Sequence, residues 1–351
     1  MRVLLTGHGG YIGTVMAPLL QDAGHDVVGL DSGLFDGCDF GAAPRALPAL
    51  RRDLRDVRAA DLSGFDAVVH LAALSNDPLG DLSPDCTYEI NHRASLQLAR
   101  AAKQARVARF VYSSSCSVYG AAGSDDVLSE TADFNPLTPY GRSKVWVERD
   151  VLPLADDSFS PTFMRNATVY GVSPRLRGDL VVNNLVGWAC TTGRVFIKSD
   201  GTPWRPLVHV EDLCRAFLAV LEAPRELVHG QAFNVGRQGE NYRIRDVAEH
   251  VLKVVEGSRV EYAQGAGPDP RCYRVDFAKL ARMLPRFQPG WTVERGVRQL
   301  HDAYRSVGIT REELEGDRYL RIVHIRRLLE DGRLDSDLRW RSPGSSDPGV
   351  C

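Results

Sequence analysis

The chain has 351 residues, 44% of them hydrophobic and 25% charged, with a formal net charge of −2. That length buries a full core in one large or two modest domains, and the near-neutral balance gives no reason to expect nucleic acid or an anionic membrane as partner. The cysteines, 7 in all, are scattered without a C-x-x-C pair, which argues against a disulfide framework or a metal site and for a reducing, cytoplasmic setting.

Val3-Leu4-Leu5 opens the chain as a short apolar run and reads as a buried parallel strand. Gly7-His8-Gly9-Gly10 breaks it, and a helix is expected over Tyr11 to Leu20. Three glycines, Gly7, Gly10 and Gly13, suit a tight turn, a backbone close to phosphate and a helix packed tightly on its strand. The N–H groups that start the helix, near Tyr11 and Ile12, then face an anion with the helix dipole behind them. The glycines and His8 interrupt any signal-peptide core, and no stretch is long and apolar enough to span a bilayer.

Asp26 to Leu30 is a second strand ending at Asp31, whose carboxylate is placed to accept from adenosine ribose hydroxyls and would repel a 2′-phosphate. NAD is therefore expected over NADP; the competing reading has Asp31 capping a turn with Ser32-Gly33. Leu34 to Leu50 reads as loop, and Asp53, with Leu54 beside it, ends a short third strand and is a candidate for the adenine edge, with a solvated charge run as the competing reading. Phe65 to Leu71 is a fourth strand running into Ala72-Ala73, small residues that let a cofactor come close. A helix over Thr87 to Ala105, carrying Asn91, precedes a fifth strand over Val107 to Ser113. Repeated βαβ units predict an α/β fold with a doubly wound parallel sheet and ligands at the carboxyl ends of its strands.

The fifth strand runs into Ser113-Ser114-Ser115-Cys116-Ser117-Val118-Tyr119-Gly120, and Pro139-Tyr140-Gly141-Arg142-Ser143-Lys144 follows. Tyr140 and Lys144, four apart, share a helix face. A free tyrosine, pKa about 10, is a poor base at neutral pH; a nearby ammonium and a positive nicotinamide both favour the phenolate. Ser115 can share a substrate oxygen with Tyr140, giving a proton relay beside a hydride acceptor.

T-G-x-x-G-x-x-G, H-L-A-A, S-S-S-x-x-V-Y-G and Y-x-x-x-K stand in order. To about Leu284 the chain resembles an extended short-chain dehydrogenase/reductase of the nucleotide-sugar epimerase/dehydratase type, similar to the UDP-galactose 4-epimerases. The resemblance implies a Rossmann domain over 1–165, with 205–237 returning to it, and a smaller substrate domain over 166–204 and 238–341. It implies Ser115, Tyr140 and Lys144 as catalytic residues. Cofactor contacts would come from Gly7, Gly10, Tyr11, Ile12, Gly13, Asp31, Asp53, Leu54, Leu71, Ala72, Ala73, Asn91 and Ser113. Family dehydratases carry T-D-E where Ser115-Cys116-Ser117 stand, and sugar-acid decarboxylases carry glutamate at Ser117. The chemistry left is C4 epimerisation through a keto sugar, with a keto-sugar reductase or epimerase/reductase as alternative and a non-catalytic NAD sensor as the contrasting class. Cys116 reads as buried packing rather than an acid/base group.

On the substrate side the resemblance implies contacts from Ser75, Ser117, Asn166, Thr168, Asn183, Asn184, Arg205 and Arg271. Thr168 stands where the family usually has Asn, and helix capping competes as the role of Asn183 and Asn184. Arg205 suits phosphate through its planar fork, and Arg271 replaces an epimerase arginine missing at Ala266. His209 reads as structural. Helices are expected over Glu211 to Leu221, Asn241 to Val255 and Trp291 to Tyr304, a strand over Gln231 to Gly236, and a solvated helix over Glu312 to Leu338. The tail 342–351 reads as disordered. A homodimer through the helices of Thr87–Ala105 and Tyr140–Leu152 is implied.

Overall fold

The structure, a computed structural model, describes residues 1–121, 127–267, 269 and 271–341; the expected tail at 342–351 and Pro270 lie outside the described residues. Seven strands form one parallel sheet: β1 (Arg2–Thr6), β2 (Asp26–Asp31), β3 (Ala49–Arg51), β4 (Ala67–His70), β5 (Arg109–Ser115), β6 (Ser160–Asn166) and β7 (Ala232–Val235). Their order is β7-β6-β5-β4-β1-β2-β3, and every pairing is parallel. The expected parallel α/β sheet is therefore present. Val3 and Leu5 face one core with Met16, Phe217 and Phe233, while Leu4 faces the other with Val68, Leu98 and Phe110. Period-two alternation with both faces covered explains the unbroken apolar runs. The chain reverses direction across the sheet between β1 and β4, which opens a crevice beyond their carboxyl ends.

Gly7 has φ +71°, and a Cβ there would lie 2.8 Å from the Ala72 backbone nitrogen. A Cβ on Gly13 would lie 2.2 Å from the Gly7 carbonyl oxygen. Only hydrogen fits at either place, so the turn closes tightly under the crevice. The following helix runs Gly13–Asp22.

Several expectations change. Asp53 ends no strand; it caps the helical turn Leu54–Asp56 by accepting from the Arg55 N–H. The helix expected from Thr87 begins at Pro84, passes through a wide turn at Glu89–Arg93 and ends at Gln104. Asn241–Arg243 is a strand, paired with Trp204–His209, which pairs in turn with Thr168–Tyr170; helix Ile244–Val254 follows. Within the expected substrate-side stretch 238–341, residues divide between two cores. Tyr273, Phe277, Leu284 and Phe287 pack in the core of the main sheet, while Tyr170, Leu185, Val247, Val297 and Tyr304 form a separate core.

The segment 311–341 is not a solvated helix. Two short helices, Arg311–Glu315 and Arg321–Glu330, are followed by a turn closed by a bridge between Leu334 and Trp340. Ile325, Leu328, Leu334 and Leu338 bury their side chains against Leu74, Leu79 and Cys86. Its arginines mask this in the sequence: Arg311, Arg318 and Arg327 pair with acids of the same segment, as on a solvated helix, while Arg339 reaches Asp56.

Candidate active site

One cavity of about 690 Å³ runs from the glycine turn past the ends of β4 and β5 to the small sheet, within the usual range for ligand sites. It gathers every expected site residue except Asn91 and Asn183.

Tyr140 and Lys144 lie on helix Pro139–Val151, which Thr138 caps by accepting from the Gly141 N–H. The Ser115 hydroxyl accepts from the Ser117 N–H at 3.1 Å. Ser115 and Tyr140 line the same cleft. Desolvation there pushes the Tyr140 phenol up to about 12, with the Ser115 hydroxyl favouring the phenolate against it and the Asp77 charge adding to the rise. Lys144 donates to the Ser113 carbonyl at 2.7 Å and sits 5.5 Å from the Tyr140 ring centre. Burial pulls Lys144 down to about 7, and Glu148 one turn on opposes the fall. In the protein without a dinucleotide, burial outweighs the groups that favour the Tyr140 phenolate.

Under these groups lies a closed polar network. Glu148 accepts from Ser114 and, through two nitrogens, from Arg165 at 2.7 and 3.1 Å. His70 of the H-L-A-A motif is buried between Thr6 and Ser95, at 2.6 and 2.8 Å. Burial lowers its pKa to about 3, so it is a neutral bridge between β1 and a helix. Cys116 is 1% exposed, its thiol donates to the Arg165 carbonyl, and burial pushes that thiol up. His209 caps helix Val210–Glu222 and stacks on Trp291 at 3.8 Å.

Asp31 combines both of its readings: it lines the cleft and also accepts from the Gly9 and Gly33 N–H groups at 3.0 and 2.8 Å. Asp53 lines the cleft and pairs with Arg55 at 2.6 Å. Asn91 faces away from the cleft and brackets Leu74, accepting from its N–H and donating to its carbonyl. Asn183 is 0% exposed, accepts from the Gly171 N–H and donates to the Arg177 carbonyl. It caps no helix and meets no ligand surface, because its amide is spent on two loops. Asn184 lines the cleft and donates to the Gly178 carbonyl at 2.7 Å.

Arg205 and Arg271 converge on Asp269, at 2.8 and 2.6 Å. Burial raises the Asp269 carboxyl, but the Arg271 hydrogen bonds and the Arg205 charge hold it below the usual range. Arg271 also pairs with Asp77 across the cleft. Asn166 donates to Ser113 at 2.9 Å, while its Oδ1 and the Ser117 hydroxyl are buried without partners. Thr168 lines the same wall.

Sequence reasoning missed Arg177, Asp77, Asp179 and Arg321, all of which line the cleft. Arg177 is held by Asp179 at 2.8 Å and donates to Ser75 at 3.0 Å. The Arg-x-Asp spacing in a loop was the one available signal, and it is too common to single out.

A sequence profile of the NAD dependent epimerase/dehydratase family matches residues 3–236. The chain belongs to that family. Its similarity to a UDP-glucose 4-epimerase of Neisseria gonorrhoeae is 29% identity, over 88% of this chain and 97% of the relative. It resembles the structure of MoeE5 in complex with UDP-glucuronic acid and NAD, at TM-score 0.75 and 29% identity, over 87% of this chain and 99% of that one. A Thermus thermophilus UDP-glucose 4-epimerase in complex with NAD matches at TM-score 0.72 and 25% identity, over 87% and 99%. NAD is the family's cofactor, and this chain fits it: the glycine turn and the helix start after it line the cleft, and Asp31 at the second strand end lines it too. Gly7 to Gly13 would hold the diphosphate, Asp31 the adenosine ribose, and Lys144 the nicotinamide ribose.

Proposed function

We propose that this family member epimerises a nucleotide-activated sugar at C4 through a transient keto sugar. The observation that carries the reading is that Ser115, Tyr140 and Lys144 line one cleft, with Lys144 5.5 Å from the Tyr140 ring centre and no carboxylate at Cys116 or Ser117. The cleft acid near Tyr140, Asp77, is engaged by Thr138 and Arg271, so elimination lacks a free acid/base pair.

Bound NAD supplies a hydride acceptor that returns what it takes. Tyr140 takes the C4 hydroxyl proton during oxidation and returns it to the carbonyl oxygen after the keto sugar has turned its other face to the cofactor side, so that C4 regains its hydrogen on the opposite face. Ser115 donates to the same oxygen and holds it in place. Lys144 in its ammonium form stabilises the phenolate, and the positive nicotinamide would favour it as well. Arg205 and Arg271 grip the nucleotide diphosphate in exchange for Asp269. Ser117 and Asn166 offer their unpartnered oxygens to the sugar.

Incubation with a panel of nucleotide sugars, read by NMR at the ring carbons, tests the proposal: C4 inversion with at least one is expected. Stoichiometric reduced-cofactor consumption with keto sugars and no inversion would replace it with the reductase.

The assembly we infer is a homodimer through helices 84–104 and 139–151, which pack together through Tyr88 and Trp146; sedimentation analysis tests it. Cytoplasmic residence is part of the same reading. Six described cysteines are free, and among the described residues no helix is long and apolar enough to cross a membrane.

A further inference from the structure

Arg321 is 2% exposed and lines the cofactor cleft, yet one guanidinium nitrogen, Nη1, has no hydrogen-bond partner. Among the described residues no carboxylate lies within ion-pair distance of it. Its other Nη donates to the Arg175 carbonyl at 3.1 Å, and its guanidinium stacks on Phe35 at 4.1 Å. The Cys38 thiol nearby is kept neutral by burial. Asp179, the acid whose charge reaches it, is gripped by Arg177.

A buried cation without a counter-charge is costly. We infer that Arg321 supplies the counter-charge for the diphosphate of the bound dinucleotide, and that the segment 311–341 is a working wall of the cofactor site. The inference rests on the NAD reading and extends it to a residue outside the 3–236 family match.

Three observations place the missing anion on the cofactor side of the cleft. Phe35, under the guanidinium, lies four residues past Asp31 on the loop after β2. Ser173 donates to the Tyr11 carbonyl in the glycine turn and accepts from the Arg175 N–H, so the Arg321 neighbourhood is tied to that turn. The segment is then strapped along the adenosine edge: His324 meets the Leu34 carbonyl at 2.9 Å, Trp340 donates to the Ser32 carbonyl at 2.7 Å, and Arg339 pairs with Asp56 at 2.8 Å. Leu338 faces the cleft between these ties. The nucleotide-sugar arginines, Arg205 and Arg271, sit instead around Asp269. Burial already pulls Arg321 down to about 10, the signature of a cation waiting for charge rather than one satisfied.

Calorimetric titration of cofactor-stripped protein with NAD, ADP, adenosine and UDP tests this. For Arg321→Met, the NAD and ADP dissociation constants should rise about ten- to a hundred-fold, as for a lost charge-assisted hydrogen bond. Adenosine and UDP should change less than about three-fold, having no phosphate at this place or no use of it. The log Kd of NAD should also depend less steeply on log salt. Should Arg321→Met fail to fold, Arg321→Lys carries the test, with ADP weakened several-fold and adenosine unchanged. Unchanged ADP binding in a folded variant overturns the inference. A parallel loss for adenosine overturns it in favour of plain packing, and a loss for UDP alone moves Arg321 to the sugar nucleotide. Failure of the unaltered protein to bind NAD would instead sink the cofactor reading itself.

Discussion

Lys144 holds its Nζ 5.5 Å from the centre of the Tyr140 ring and hydrogen-bonds the Ser113 carbonyl. The two side chains therefore share a helix face, but the lysine is fastened to the strand end. This geometry lets Lys144 reach toward a ribose without leaving Tyr140, and Ser115 lines the cleft beside them.

Tyr140→Phe removes the proton carrier and little else. Turnover should fall about 10²- to 10⁴-fold, the usual contribution of a positioned acid/base group, while the NAD dissociation constant stays within about three-fold. Steady-state C4 inversion beside a cofactor titration reads both; retained turnover would remove Tyr140 from the chemistry.

Lys144 gives a pH signature of stability. Its folded value, about 7, lies below the ordinary lysine value. Between about 7 and the ordinary value near 10.4 the unfolded chain binds more protons than the folded one, so this group makes stability rise with pH there. In cofactor-free protein, Lys144→Met should therefore compare most favourably with the parent below pH 7, and the advantage should shrink as pH rises toward 10. Thermal melts of both across that window give the answer; a constant difference would contradict it.

Arg205→Met leaves Asp269 with Arg271 alone. KM for the nucleotide sugar should rise about ten- to a hundred-fold, with kcat within about three-fold because the reacting carbon is remote from the diphosphate. Adding Asp269→Asn should cost less than it does alone, since the carboxylate has already lost one of its two partners. A fall confined to kcat would show that Arg205 acts elsewhere.

Cys116→Ala tests whether a thiol takes part. Its burial and its bond to the Arg165 carbonyl predict turnover within about three-fold of the parent and a stability loss near ~1 kcal/mol. Slow alkylation of native protein at this position is expected as well, because a buried thiol with a raised pKa is a poor nucleophile. Loss of turnover with a folded variant would reopen an acid/base role.

The turn at Gly7 and the Tyr140–Lys144 pair are legible in the sequence because their logic is local: a missing Cβ in one turn, four-residue spacing on one helix. The parallel sheet follows from apolar runs broken at regular intervals. Asn91 and Asn183 lie outside the cleft lining, and only the packed loops reveal that the Asn91 amide brackets Leu74 and the Asn183 amide ties Gly171 to the Arg177 carbonyl. The Asp53–Arg55 pair is likewise a product of the folded turn after β3.

By itself, the order of residues determined the strand–turn–helix entrance, the serine–tyrosine–lysine set and the lack of carboxylates at the end of β5. Each depends on neighbours within a few positions. Tertiary structure alone decided the pKa of Tyr140, the sharing of Asp269 by two arginines, and the return of residues 311–341 to the cofactor cleft. Burial and ion pairing are properties of groups brought together from remote parts of the chain, and no local pattern encodes them.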